Sequence, residues 1–411
     1  MTNFYIATNG CGVLRHEANR IDTYLTYNGY VETTEPKAAD IIIFVACGMT
    51  NEDVSFALEY IDTLISVKKE NALFIVTGCL PAVENNIKQK NSSIIVYTYD
   101  ELSNLDKLLD AKIMFDNVFY NVGLPEHLVW PQEPDSAETI EENKFIQKAN
   151  ELLPSSELER LYKYTTKREY IWNEEDIFQI RAAYGCSYAC SYCSTRISVG
   201  KFRSIPIDSI LVQYKLGLSK GYKRFMLVGT ELGNYGHDIG TNIVELLLRL
   251  YHVESNVKIG IRYIHPDCLV RYFDGLSQLF ENGFIYYFCA AIQTASAQLL
   301  KNMNRNPSLS KFVECIRNIH AKQFPVLIHS QVMVGFPGET SKDIVDTLSL
   351  LQLCQFDYVN VNIFSPRPMT PAAHLDGQIP DDIKFYRYNL MCDWLAHIRR
   401  AKLYENISKN I

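Results

Sequence analysis

The chain has 411 residues, material for two or three domains with buried cores. It is 47% hydrophobic and 21% charged, the balance of a soluble globular protein, and its formal net charge of −7 with a pI near 5.8 argues against a large nucleic-acid footprint. No run is long and apolar enough to span a bilayer, the start Met-Thr-Asn-Phe-Tyr is no signal peptide, and eleven cysteines at no disulfide-like spacing predict a protein of the reducing cytosol.

Residues 1–100 alternate strand and helix. Phe4-Tyr-Ile-Ala7 is a short apolar run, followed by a Gly-bearing loop and a helical stretch from Glu17 to Asn28 that Gly29 closes. Ile41-Ile-Ile-Phe-Val45 is a buried-type strand, Asn51 to Lys69 a helix, and Leu73-Phe-Ile-Val-Thr77 a third strand. This order predicts an N-terminal parallel-sheet α/β domain with right-handed crossovers. Cys11, Cys47 and Cys79 each lie just past the end of one strand. In an open parallel sheet those loops share the edge where ligands bind, so three thiolates can converge there on an iron–sulfur cluster one ligand short of four. Any one of them alone would read as a small buried hydrophobe.

Residues 101–175 read as a partly helical linker. Pro125, Pro131, Pro134 and Pro154 interrupt it, one part is acidic, and helices are expected at Asn143–Leu153 and Ser156–Tyr164. From 176 to 400 the alternation returns, with strands expected at Ile177–Ala182, Phe225–Val228, Lys258–Ile264, Phe284–Ile292, Pro325–Val334 and Asp357–Phe364. Six such βα units predict a partial (β/α)6 barrel. The last helix is expected from Asp381 to Arg399, with a tail at 401–411.

The stretch Tyr184-Gly-Cys-Ser-Tyr-Ala-Cys-Ser-Tyr-Cys193 follows the first barrel strand and spaces Cys186, Cys190 and Cys193 as C-x3-C-x2-C. Thiolates are soft ligands, and short intervals let one loop supply several corners of a cubane cluster. A structural zinc site would want a fourth Cys or His at finger spacing, and none follows. Three cysteines leave one iron of a 4Fe–4S cluster open, and the loop resembles that of the radical S-adenosylmethionine (SAM) superfamily.

That resemblance points to the other loops after barrel strands. Gly229-Thr-Glu231 matches the place where such enzymes hold the methionyl amine of SAM, although turn glycines alone would also account for it. Gln293-Thr-Ala-Ser296 would face the same mouth, and Gly335, in Gly335-Phe-Pro-Gly-Glu-Thr340, permits close backbone approach to a bound adenine. Tyr192, beside the last cluster cysteine, is placed to shield the cluster or touch the nucleoside. Arg203 suits a substrate carboxylate or a structural Asp equally. His265 and His329 read as structural, because no metal-like spacing accompanies them.

Taken together, these residues resemble the radical SAM methylthiotransferase family. Cys11, Cys47 and Cys79, the last in Val76-Thr-Gly-Cys79, match its auxiliary-cluster cysteines. Gly200-Lys-Phe-Arg-Ser204, Gly335-Phe-Pro-Gly-Glu-Thr340 and Phe364-Ser-Pro-Arg-Pro-Met-Thr-Pro371 look like its signatures. The resemblance implies two 4Fe–4S clusters and SAM as cofactors. The Cys186/Cys190/Cys193 cluster would cleave SAM reductively to a 5′-deoxyadenosyl radical that abstracts hydrogen from an unactivated carbon. The auxiliary cluster would carry a sulfur that a second SAM methylates before its delivery to the substrate, with the protein positioning and shielding these groups. A reductant such as flavodoxin or ferredoxin is implied as well.

Departures bear on the substrate. The family's carboxy-terminal TRAM barrel has no room in this chain, Cys289-Ala-Ala-Ile-Gln293 replaces His-x-Pro-x-Gln, and Gln331 stands where relatives often carry Asp. The acidic balance and Gln293-Thr-Ala-Ser, close to the Gln-His-Ala-Ser of ribosomal-protein aspartate enzymes, favour a peptide or protein side chain as acceptor. A tRNA adenosine is the alternative. A cobalamin-dependent radical SAM methyltransferase would want an Asp-x-His-x-x-Gly signature, which none of the nine histidines supplies.

Overall fold

A computed structural model describes residues 2–10, 12–84, 86–118, 177–305, 308–367 and 369–408. Cys11 and the two linker helices expected at 143–153 and 156–164 lie outside the described residues. The described chain forms two compact units. One gathers the amino-terminal region, the stretch from Ile177 to Val257, and Ser365–Ala373; the other gathers Lys258–Phe364 and the residues from His374 onward.

In the first unit, strands β1 (Asn3–Thr8), β2 (Val31–Glu32), β3 (Ile41–Ala46), β4 (Leu73–Gly78) and β5 (Ile94–Val96) form an all-parallel sheet in the order β2-β1-β3-β4-β5. Both faces are covered, so β3 and the Phe4–Ala7 stretch of β1 are apolar, and alternate residues serve different cores. Ile41, Ile43, Val45 and Cys47 pack with Leu14, Ala18, Ile21 and Leu25 of helix α1 (Gly12–Tyr27). Ile42, Phe44 and Ala46 pack with Ala57, Ile61 and Leu64 of helix α2 (Asn51–Val67). A Thr50/Asp53 capping box starts α2 where the sequence predicts. Helix α1 begins at Gly12, five residues before the expected Glu17, because burial of Val13 and Leu14 outweighs the weak helix propensity of that opening. Leu102, Leu105, Phe115 and Val118 then return to the α1 face of the sheet.

Strands β6 (Ile177–Arg181) and β9 (Arg224–Val228) of the same unit pair in parallel, with Ile177 opposite Arg224 and Arg181 opposite Val228. Between them a short antiparallel ribbon, β7 (Ala183–Tyr184) with β8 (Arg203–Ser204), closes the cysteine loop at its base. The second unit carries β10 (Lys258–Ile264), β11 (Ile285–Ala290), β12 (Leu327–Val334) and β13 (Tyr358–Ile363), each parallel to the next and joined by helices. The architecture is therefore α/β, an N-terminal parallel-sheet domain followed by parallel strands alternating with helices. The final helix runs from Asp381 to Ser408, past the expected end at Arg399. Among the described residues no helix is long and apolar enough to cross a membrane.

Candidate active site

The order β2-β1-β3-β4-β5 is a doubly wound pattern that reverses direction between β1 and β3, and ligands bind at the carboxyl ends of the strands at such a switch point. Cys47 follows β3 directly and Cys79 follows β4 directly. Both are buried, on the α1 face of the sheet, in one core with Val199 from just beyond the second cysteine loop. Asn9, buried in the loop after β1, accepts the Cys47 amide N–H on Oδ1 at 2.7 Å, and Cys79 donates its own amide to the Ala46 carbonyl at 2.9 Å. The strand-end loops are thus tied to one another through the backbone amides of Cys47 and Cys79. Nothing in the sequence pattern marks Asn9, since one polar residue in a loop carries no periodic signal.

Cys186, Cys190 and Cys193 are half-buried in the loop leaving β7. The Cys193 amide donates to the Cys190 carbonyl at 3.1 Å, and the Thr195 amide points at the Cys193 sulfur at 3.4 Å. Asn234 Nδ2 donates to Ser187 Oγ at 2.9 Å, fastening the loop to the turn after β9. Burial pushes the Cys186 thiol up to about 12, and the nearby Glu231, Cys193 and Cys190 add to it against one backbone N–H. A bound iron cluster would supply the positive charge that favours the thiolate against this burial. Among the described residues no three His, Cys, Asp or Glu side chains close on a single metal ion. A cubane makes no such demand, because each thiolate binds its own iron. The soft donor set fits an iron–sulfur cluster.

The entry to this loop requires glycine. Gly185 has φ +64°, and a Cβ there would stand 2.2 Å from the Lys201 carbonyl oxygen across the ribbon. Gly185→Ala is expected to destabilise the fold by about 1–3 kcal/mol and to lower iron uptake on reconstitution. Thermal melting with an iron assay checks both.

Beneath the loop lies a buried charged network. Arg181, at the end of β6, is 1% exposed. Its Nη2 donates to the Val13 carbonyl at 2.9 Å and reaches Glu17 Oε2 at 3.4 Å, while Arg20 Nη1 reaches Glu17 Oε1 at 3.2 Å. The Arg181 and Arg203 guanidinium carbons stand 4.8 and 4.9 Å from the centre of the Tyr184 ring, within cation–π range. Arg203 therefore packs on an aromatic ring rather than on a structural Asp. The structural Asp of this region is Asp238, whose carboxylate accepts from the Ser204 amide at 2.8 Å and from its hydroxyl.

Gly229, Thr230 and Glu231 open the loop after β9. Glu231 is 5% exposed, and its carboxylate accepts the amides of Gly233 at 2.6 Å and Asn234 at 3.2 Å. It shapes its own turn and places a negative charge next to Cys186. Tyr192, between Cys190 and Cys193, is half-buried.

In the second unit Gln293 holds a left-handed backbone, φ +69°, rare for a residue with a side chain. Its amide donates to Gln331 O and its carbonyl accepts from Met333 N, both at 2.8 Å, which pins the loop after β11 to β12. Gly335, φ +77°, donates to the buried Glu339 at 2.8 Å, and Glu339 pairs with Arg387 at 2.8 Å. A Cβ on Gly335 would strike the Lys384 stem at 2.4 Å, so the last helix packs where a side chain would stand. His329 accepts or donates between Tyr287 and Asn360, each 2.7 Å away, and is structural as expected.

His265 caps the helix Pro266–Glu281 with its Nδ1. Burial first, then the charges of Arg305 and Arg271, hold its imidazole down to about 3, although the Asp267 carboxylate lies 3.4 Å away. The unfolded chain takes up that proton near pH 6.5 and the folded one does not. Stability is therefore whole above that pH and falls as pH drops toward the folded value, by about 1.4 kcal/mol per unit. His265→Asn keeps a cap and is expected to flatten this slope in melting curves between pH 6 and pH 4.

Two family matches cover these regions. Residues 180–351 match the Radical SAM superfamily, and residues 3–97 match the uncharacterized protein family UPF0004. The chain is 27% identical over 417 residues to the tRNA-2-methylthio-N(6)-dimethylallyladenosine synthase of Clostridium botulinum, across 98% of this chain and 84% of that one. It is 27% identical over 369 residues to the ribosomal protein uS12 methylthiotransferase RimO of Chlamydia pneumoniae, across 88% of this chain and 70% of that one. The chain belongs to the radical SAM methylthiotransferase family. It is an enzyme of that class, and the family's cofactors are SAM and two 4Fe–4S clusters. The fold of this methylthiotransferase is also similar to that of the radical SAM methyltransferase TsrM from Kitasatospora setae. There the TM-score is 0.60 at 12% identity, over 91% of this chain and 77% of that one. At that identity the likeness speaks for the fold alone.

Proposed function

We propose that this methylthiotransferase inserts a methylthio group at an unactivated C–H bond of a peptide or protein side chain, in the cytoplasm, with electrons from a donor such as flavodoxin or ferredoxin. In this reading Cys186, Cys190 and Cys193 hold the SAM-binding cluster, and Cys11, Cys47 and Cys79 hold the auxiliary cluster that carries the sulfur. When bound, the clusters and SAM supply the radical that opens the C–H bond and the methylated sulfur that fills it. The protein's part is placement. The β7–β8 ribbon and Asn234 hold the first loop, Asn9 holds the Cys47 amide, and Glu231 sets the turn beside Cys186. Gly229, Thr230, Glu231, Tyr192, Gln293 and Gly335 are the proposed contacts to SAM, and Arg203 a contact to substrate.

Charge carries the choice of substrate. The chain has 47 acidic against 40 basic residues, whereas a protein that grips a folded RNA neutralises phosphates with clustered Lys and Arg. A second reading, methylthiolation of a tRNA adenosine, is supported by the name of the Clostridium botulinum relative, matched along 98% of this chain. Methyl-labelled SAM, supplied to the reduced, reconstituted enzyme with a host extract, separates the two. Label in peptide, absent with Cys186→Ala and Cys79→Ala, supports the first reading. Label in tRNA overturns it in favour of the second.

A further inference from the structure

The Ser365–Ala373 segment contacts both cysteine-bearing regions of the first unit without supplying a cysteine to either. Arg367, 6% exposed, donates from Nε to the Met49 carbonyl at 3.1 Å, two residues beyond Cys47. The Ala372 amide, fully buried, donates to the Ser191 carbonyl at 2.9 Å, between Cys190 and Cys193. Thr370, 1% exposed, bends the backbone between these anchors by donating both its amide and its hydroxyl to the Arg367 carbonyl at 2.8 Å. Met49 completes the circuit, with its sulfur 3.7 Å from Ser194 Oγ and 4.0 Å from Thr195 Oγ1, just past Cys193.

We infer that Arg367 is a positioning residue that fixes the spacing between the Cys47 loop and the Cys190–Cys193 loop, and through it the separation of the two clusters. This rests on the cysteine assignments proposed above. The physical case is that both loops are irregular backbone with no strand pairing between them, so their distance is set by whatever bridges them. Arg367 is suited to that work because its buried Nε holds the Met49 carbonyl while the Ala372 amide of the same segment holds the Ser191 carbonyl. In the proposed reaction, sulfur held at the Cys47 side would have to reach a substrate carbon activated at the Cys190–Cys193 side, and a displacement of about 1 Å would cost such a step on the order of 100-fold.

The test compares the holoenzyme with Arg367→Met, which keeps the length and loses the donor, and Arg367→Lys, which keeps the charge. Iron content and electron paramagnetic resonance of the doubly reduced enzyme are measured together. The expected result for Arg367→Met is iron content and individual cluster signals as in the wild type, with the magnetic interaction between the clusters weakened or lost. Arg367→Lys is expected to restore part of it. An unchanged interaction in Arg367→Met overturns the inference. So does loss of one cluster's iron in that variant, since the residue would then be needed to hold a cluster rather than to space two. A wild-type enzyme with a single cluster would instead sink the two-cluster reading itself.

Discussion

Replacing any one of Cys186, Cys190 or Cys193 by alanine is expected to lower iron from about eight to about four per chain and to abolish SAM cleavage. The physical reason is the ligand count. Three thiolates already leave one iron without a protein ligand, so a loop reduced to two cannot hold a cubane whose remaining corners face solvent. Cys47→Ala or Cys79→Ala is expected to remove the other half of the iron and to leave SAM cleavage by the first cluster in place while methylthio transfer stops. Iron and sulfide assays, with chromatographic detection of 5′-deoxyadenosine and labelled product, measure this split. Equal loss of SAM cleavage in both groups of variants would contradict separate clusters.

Arg181→Met is expected to destabilise the first unit by about 3–5 kcal/mol, the range for removing one partner of a buried ion pair. Both groups are almost fully buried, with side-chain exposures of 2% for Arg181 and 1% for Glu17, so no water replaces the lost contact. Arg20 remains 3.2 Å from Glu17, which places the effect toward the lower end of that range. Glu17→Met alone leaves two guanidinium groups facing each other and is expected to cost at least as much. The double variant replaces the pair with apolar side chains and is expected to recover part of the loss, because an isosteric apolar pair has no desolvation cost to offset. Denaturant unfolding of the four proteins gives the coupling energy directly. Simple additivity of the two single substitutions would show that the pair does not act as a unit.

The local half of this protein was readable from its amino acids. The apolar runs at Phe4–Ala7, Ile41–Val45 and Leu73–Thr77 lie within the strands β1, β3 and β4, because period and β-branched content are properties of a few consecutive residues. The C-x3-C-x2-C spacing and the position of Cys47 and Cys79 at strand ends were likewise fixed by short sequence intervals. Strands β2 and β5, two and three residues long, are too short to show a period and emerge only as partners of β1 and β4. Tertiary structure alone decided the strand order that puts the switch point beside the Cys47 loop. It also decided the pairing of Arg181 with Glu17 across 164 residues and the reach of Arg367 to Met49 across 318. Such contacts join single polar side chains at separations where no repeating pattern constrains them, and their partners become neighbours only when the sheet and its loops have packed.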